Sequence, residues 1–144
     1  ELVLISGYKV SSETDDMDIA VIHGYISRSY WAKNVPLITM KKAIKNSLCF
    51  GVFTDSGEQV AFARMVTDSA TFAYLADVFV LDEHRGKGIS KLLMKNIIEH
   101  PNLQGIRRMV LATSDAHGLY NKFGFKALSS PEFFMELHRP DVYK

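Results

Sequence analysis

The residues best placed to do chemistry gather in one short stretch, HRGKGIS, from His84 to Ser90. Two glycines and two cations sit between an apolar run, DVFVLDE, and an amphipathic one, KLLMKNIIEH. A loop that leaves a strand and opens a helix presents backbone N–H groups without intrahelical acceptors. The helix dipole adds partial positive charge at the same place. Gly86 and Gly88 allow a ligand close to the backbone, and Arg85 and Lys87 add full charges. Together with Ile89 and Ser90, which complete the stretch, these residues suit a phosphate or pyrophosphate. The bland reading is a strand-to-helix turn with solvated cations. The spacing fits neither the nucleotide P-loop, GxxxxGK[ST], nor the dinucleotide fingerprint GxGxxG.

A second candidate is Asp77, which interrupts the apolar strand AYLADVFVL. A carboxylate among apolar residues needs a partner or a function. It has two readings: a base or anchor for an ammonium, or a structural pair with Arg64 on the preceding strand. Both stay open. The single cysteine, Cys49, sits in the apolar run LCFGVF and reads as core, with no His or acid near it in sequence to activate it. His23 falls on an apolar helical face and reads as packed. His100 closes a helix, where a cation suits the dipole. His84 and His117 read as solvated, with contact to a bound phosphate as the alternative. No His, Cys or acid pair has metal-ligand spacing, and no nucleophile elbow is present.

These residues must be positioned by a definite order of elements. Residues 2–12 read as a strand that Gly7 interrupts, and SETDDMD offers capping oxygens at Ser12, Thr14 and Asp15 for a helix over 17–30. Thr39 would cap a short helix, MKKAIKNSL. LCFGVFT and QVAFARMVTDS flank a DSGE turn as a hairpin, and TFAYLADVFVL, apolar on both faces, reads as a long central strand. A helix over 87–99 ends at Pro101. The strand RRMVLAT lies beyond it, so strands four and five should run parallel with a right-handed crossover. A short helix over AHGLYNKF ends at Gly124, and FKAL and FFMELH read as two last strands. The class is therefore α/β, with a mixed sheet.

The 144 residues suit one domain, 1–144, that can bury a core; 47% are hydrophobic and 23% charged, which marks a folded rather than a disordered chain. A net charge of +1 gives no electrostatic case for nucleic acid or an acidic membrane, and leaves room for one local cationic site. One cysteine precludes an intramolecular disulfide, which suits a reducing, cytoplasmic setting. No apolar run is long enough to span a bilayer. The start ELVLISGYKV lacks the basic stretch and cleavage site of a signal peptide, so none is expected.

The run VFVLDEHRGKGISKLLM resembles the acyl-coenzyme-A-binding motif of the Gcn5-related N-acetyltransferases, the GNAT family, whose pattern is [Q/R]xxGx[G/A] between the fourth strand and the third helix. Arg85, Gly88 and Ser90 take its fixed places, with Ser90 departing from the usual Gly or Ala. Downstream, SDAHGLYNKFGFKAL resembles the family's AxxLYxKxGF segment at Ala116, Leu119, Tyr120, Lys122, Gly124 and Phe125. The resemblance covers roughly residues 48–128 by motif and order. It implies a single-domain GNAT fold, with a mixed central sheet whose parallel strands four and five splay apart, flanked by about four helices.

The resemblance also implies acetyl-coenzyme A as acyl donor. Its pantetheine would pair with strand four near Val78, Phe79 and Val80, and its pyrophosphate would rest on Arg85 to Ser90. It assigns Tyr120 as donor to the departing sulfur. Some family members carry a Glu-Asp pair on strand four; Ala76 stands in the Glu place here, and successive strand residues face opposite sides, so Asp77 does not simply inherit that role. The first two helices would cover the acceptor side, where Tyr30 and Trp31 either wall a pocket or pin the helix to the sheet. The implied reaction is direct acetyl transfer to a primary amine in a ternary complex; the alternative is a non-catalytic coenzyme-A-binding or sensing domain. The expected partners are a small-molecule or peptide amine and, compatibly, a second copy of the chain.

Overall fold

The computed structural model describes residues 5–144. Its frame is a five-stranded sheet in the order β1-β2-β3-β4-β5. The strands are β1 (Tyr8–Ser11), β2 (Leu48–Thr54), β3 (Gln59–Thr67), β4 (Phe72–Val80) and β5 (Arg108–Leu111). The first four are mutually antiparallel, whereas β4 and β5 are parallel and joined through helix α3 (Ile89–Glu99). Three further helices complete the layers: α1 (Ile19–Ile26), α2 (Leu37–Lys45) and α4 (His117–Asn121). The expected α/β fold with its mixed sheet is the one observed.

Two cores lie on opposite faces of this sheet. On one, Leu92, Leu93, Met94 and Ile97 of α3 pack against Val52, Ala61, Ala63 and Leu75. On the other, Ile22 and Ile26 of α1 and Met40 and Ile44 of α2 meet Cys49, Phe62 and Phe79. Strands β2 and β3 are buried on both faces because helices cover both.

The departures from the sequence reading have local causes. The first strand is shorter than 2–12: Gly7 takes φ +88, and β1 begins after it. Residues 2–4 of that expectation lie outside the described residues. The cap of α1 is Asp18, whose carboxylate accepts from Ala20 N and Val21 N at 3.0 and 3.3 Å. Gln59 fixes Asp18 there by accepting its backbone N–H at 2.7 Å. α1 stops at Ile26 because Ser29 Oγ donates to Ile26 O at 2.6 Å and the chain loops back, Asn34 N donating to Ser27 O at 2.8 Å. α2 begins at Leu37, before Thr39, since Pro36 sits at its N-cap, where a missing N–H costs nothing. FKAL and FFMELH form no strand; part of the second lies in a 3-10 turn, Pro131–Phe133. An alternating pattern makes a strand only where a neighbouring edge is joined, and among the described residues these join none.

Cys49 illustrates the core's effect on a reactive group. It is 1% exposed, and burial pushes its thiol up to about 11 from an ordinary 9.0, with the Arg64 charge opposing and the Asp77 charge adding. The thiolate is the reactive form, so native Cys49 should resist alkylation at pH 8 and react once the chain is denatured. Because the folded value is raised, the associated stability is complete below pH 9 and is lost as pH rises through about 11. Cys49→Ala should keep turnover within a few-fold; rapid native labelling, or loss of activity in a folded variant, would contradict a structural role.

Candidate active site

The site begins where the sheet opens. β4 and β5 are in register from Phe72↔Arg108 to Leu75↔Leu111 and no further. Immediately beyond, β4 carries a bulge: Phe62 faces Phe79 and Arg64 faces Ala76, so Asp77 and Val78 together oppose Ala63. Asp77 adopts φ +56, a conformation that Asp tolerates better than bulkier residues. A bulge bends its strand and strengthens the twist. The last residues of β4 therefore part from β5, and Val78, Phe79 and Val80 have no ladder partner on that side.

At the C-terminal end of β4 the loop turns into α3. Gly86 and Gly88 have φ +77 and +82, and Gly88 is the left-handed N-cap of α3. The helix then points the free N–H groups of its first turn, from Ile89, Ser90 and Lys91, toward the same opening. Arg85 is held on three sides: Nε donates to Val80 O at 3.0 Å, Nη2 to the Tyr25 hydroxyl at 2.9 Å, and Nη1 lies 3.0 Å from Asp82 Oδ1. It shapes the loop as well as charging it. Tyr25 in turn stacks on Phe79, ring centroids 4.2 Å apart. Lys87 reaches back over β1, its Nζ 3.4 Å from the Tyr8 hydroxyl. His84 is packed rather than solvated, its Nδ1 2.7 Å from that same hydroxyl. His117 starts α4 and is exposed. His23 packs as expected, its Nε2 2.8 Å from Val35 O.

Tyr120 stands on α4, facing the gap between the strands. The residue is 8% exposed and lines the cleft. Burial pushes its phenol above the ordinary 10.0, and the Asp115 carboxylate acts in the same direction. It therefore stays protonated, a donor, across the neutral range.

The opposite mouth of the gap is framed by the α1–α2 loop. Trp31 Nε1 donates to Asp77 Oδ1 at 2.8 Å, and Arg64 Nε donates to Asp77 Oδ2 at 2.9 Å. Arg64 also reaches Ser47 Oγ at 3.1 Å. Both oxygens of Asp77 are thus engaged, and its side chain is 8% exposed. Tyr30 packs edge-on to Trp31, and its hydroxyl lies 2.9 Å from Ser114 Oγ, beyond β5. The loop is anchored to both splayed strands. The two readings of Tyr30 and Trp31 prove compatible: they pin the loop and they wall the opening.

Most of these residues border one cleft of about 1400 Å³, which runs from Arg85 and Ser90 past Val78 and Tyr120 to Trp31; Lys87, turned back toward Tyr8, lies outside its lining, as do His23 and His117. Two members escaped the sequence reading. Tyr25 reads only as one more apolar position of α1, and Tyr143 joins the cleft from the end of the chain without any motif around it. Among the described residues, no group of three or more His, Cys, Asp or Glu is placed to hold a metal ion, and no helix is long and apolar enough to cross a membrane.

Comparison with known proteins is consistent with this geometry. A family model described as an acetyltransferase (GNAT) domain matches residues 45–127. A candidate acetyltransferase of Gibberella zeae is 31% identical over 137 residues, covering 80% of this chain and 76% of its own length. A solved candidate acetyltransferase of the GNAT family from Xanthomonas campestris pv. campestris is 52% identical, with a TM-score of 0.93 over 96% of this chain and 98% of its own. A Clostridium acetobutylicum acetyltransferase structure described with acetyl-CoA shares the fold at 16% identity, with a TM-score of 0.62 over 91% of this chain and 94% of its own.

Proposed function

Since the chain belongs to the GNAT acetyltransferase family, we propose that it moves an acetyl group from acetyl-coenzyme A to a primary amine by direct attack. The observation that carries this reading is the continuity of the cleft: the anion-binding loop, the unpaired end of β4, Tyr120 and the Trp31 wall share one cavity. Two substrates can meet there without a covalent enzyme intermediate. Nothing observed favours a non-catalytic domain.

The residues fit the donor. Arg85, Gly86, Lys87, Gly88, Ile89 and Ser90 hold the pyrophosphate through helix N–H groups and positive charge. Val78, Phe79 and Val80 offer backbone groups to the pantetheine amides, as a further strand would. The donor supplies an activated acetyl group with thiolate as leaving group. The amine arrives as an ammonium of pKa about 10.4 and must shed its proton before attack. That proton passes to solvent in the open cleft; the nitrogen then bonds to the carbonyl carbon and gives up a second proton to solvent, the carbon–sulfur bond breaks, and Tyr120 donates to the sulfur as negative charge develops there, regaining from solvent any proton it transfers.

Asp77, a candidate base by sequence, is better assigned as a positioning residue. With Arg64 and Trp31 on its two oxygens it fixes the bulge and the acceptor wall. Asp77→Asn keeps the αL conformation accessible and should mainly raise KM for the amine, with kcat falling less than about tenfold. Trp31→Phe, which removes the indole donor, should shift the same parameter. A kcat loss above about a hundredfold at unchanged KM would instead make the carboxylate the base.

The direct test is release of free thiol from acetyl-coenzyme A across a panel of amines: polyamines, amino acids, aminosugars and peptides. The proposal expects at least one amine to accelerate release well above hydrolysis. Binding of coenzyme A with no amine-dependent release would support a sensing role.

A further inference from the structure

The cleft carries two charges that the chain leaves unanswered. Away from the donor loop and the first turn of α3, the charged side chains that line it are Arg28, Arg64, Asp77 and Asp115. Arg64 and Asp77 answer each other at 2.9 Å. Arg28 and Asp115 are both exposed, and among the described residues neither takes part in an ion pair. Their places are definite. Asp115 follows Ser114, whose Oγ lies 2.9 Å from the Tyr30 hydroxyl, so it stands beside the acceptor wall. Its charge also reaches the Tyr120 phenol, at the reacting centre of the cleft. Arg28 lies at the root of the loop that forms the wall, after the end of α1 and before Tyr30 and Trp31.

A carboxylate in the position of Asp115 repels the donor's phosphates and attracts a cation. The cation that the reaction brings is the acceptor, an alkyl ammonium of pKa about 10.4. A guanidinium attracts an anion, and its planar fork matches a carboxylate through two parallel hydrogen bonds. The donor's pyrophosphate is assigned to the loop from Arg85 to Ser90, which has its own charge and helix N–H groups. We propose that the acceptor is an amino carboxylate, an amino acid or a short peptide, whose ammonium rests on Asp115 and whose carboxylate rests on Arg28. The inference builds on the acetyl-transfer reading of the cleft and names the class of its second substrate. It makes polyamines poor acceptors, because a second ammonium would face Arg28. Both residues position the acceptor, and the proton of the ammonium still leaves to solvent.

The test follows thiol release from acetyl-coenzyme A with acceptors in matched pairs. An α-amino acid, an ω-amino acid and a dipeptide are each set against the same molecule with its carboxyl amidated, and a polyamine is run alongside. In at least one pair the free acid should have the higher kcat/KM by about tenfold, the worth of one charge-assisted hydrogen bond. The pair that shows it reports the span between the two charges and separates free amino acids from peptides. Arg28→Gln should bring that ratio close to one. Asp115→Asn should raise KM for both members of the pair by about tenfold, since both carry the ammonium, and Asp115→Glu should recover part of the loss. Both positions are exposed, so thermal melts should match the wild type. Calorimetry with coenzyme A separates acceptor from donor effects: a loss of its affinity in Arg28→Gln would move Arg28 to the donor and overturn the inference. So would amides acetylated as fast as acids in every pair, a preferred polyamine, a ratio that persists in Arg28→Gln, or an unchanged KM in Asp115→Asn. Those outcomes leave acetyl transfer standing. No amine-dependent release from any acceptor would overturn both.

Discussion

Tyr120→Phe should lower kcat by about two orders of magnitude, the common worth of a positioned proton donor, while acetyl-coenzyme A binds almost as before. The substitution removes one oxygen and keeps the ring that packs beneath α4. An unperturbed phenol has pKa about 10 and a thiol about 8.5, so full proton transfer to a well-solvated thiolate is uphill. Burial raises the Tyr120 phenol further, with Asp115 contributing. Its action therefore rests on a hydrogen bond that strengthens as charge builds on sulfur, completed by proton transfer when the departing thiolate is poorly solvated. Such an interaction belongs to the transition state, so kcat and kcat/KM should fall together. Because the phenol is held protonated, Tyr120 should not generate an alkaline limb in the pH–rate profile below its ordinary titration range. An unchanged kcat would return Tyr120 to packing; a rise in KM alone would make it a binding residue.

Gly88→Leu should weaken acetyl-coenzyme A binding by about 10- to 100-fold, the equivalent of losing one charge-assisted hydrogen bond. Gly88 sits at φ +82 and caps the helix whose N–H groups face the cleft. A side chain strains that conformation by about 1–2 kcal/mol, and relief of the strain rotates the first turn away from its anion-binding geometry. The fold should survive. An added Cβ would meet Ile5 Cδ1 at 3.6 Å, an ordinary contact, and the strain is small against a typical domain stability of about 5–15 kcal/mol. Calorimetry with coenzyme A, paired with a thermal melt, separates the two effects. Undiminished affinity in the folded variant would remove the loop from the donor site.

Much of this site was legible because local chemistry dictates it. LCFGVFT became β2 at the residues expected, since β-branched and aromatic residues between a helix end and a turn have few alternatives. HRGKGIS opened a helix because two glycines can take positive φ where the chain must turn. The Asp77–Arg64 pair was visible as an acid and a base on adjacent strands. The bulge was not: a single extra residue in β4 leaves no compositional mark, yet it opens the gap and turns the carboxylate toward Trp31. The anchoring of Tyr30 to Ser114 and of Arg85 to Tyr25 joins residues far apart in sequence, with no periodicity to announce it. FKAL and FFMELH were expected as strands from alternation alone. Alternation reports which face is apolar; it does not say which edge will cover that face.

The central claim is that donor and acceptor occupy one cleft together and react directly. Initial rates measured over a grid of acetyl-coenzyme A and amine concentrations test this, using the best amine from the panel. Direct transfer in a ternary complex predicts double-reciprocal lines that intersect. Parallel lines, with acetyl retained on the protein after exposure to acetyl-coenzyme A alone, would contradict it and require a covalent intermediate that the cleft's residues were not assigned to form.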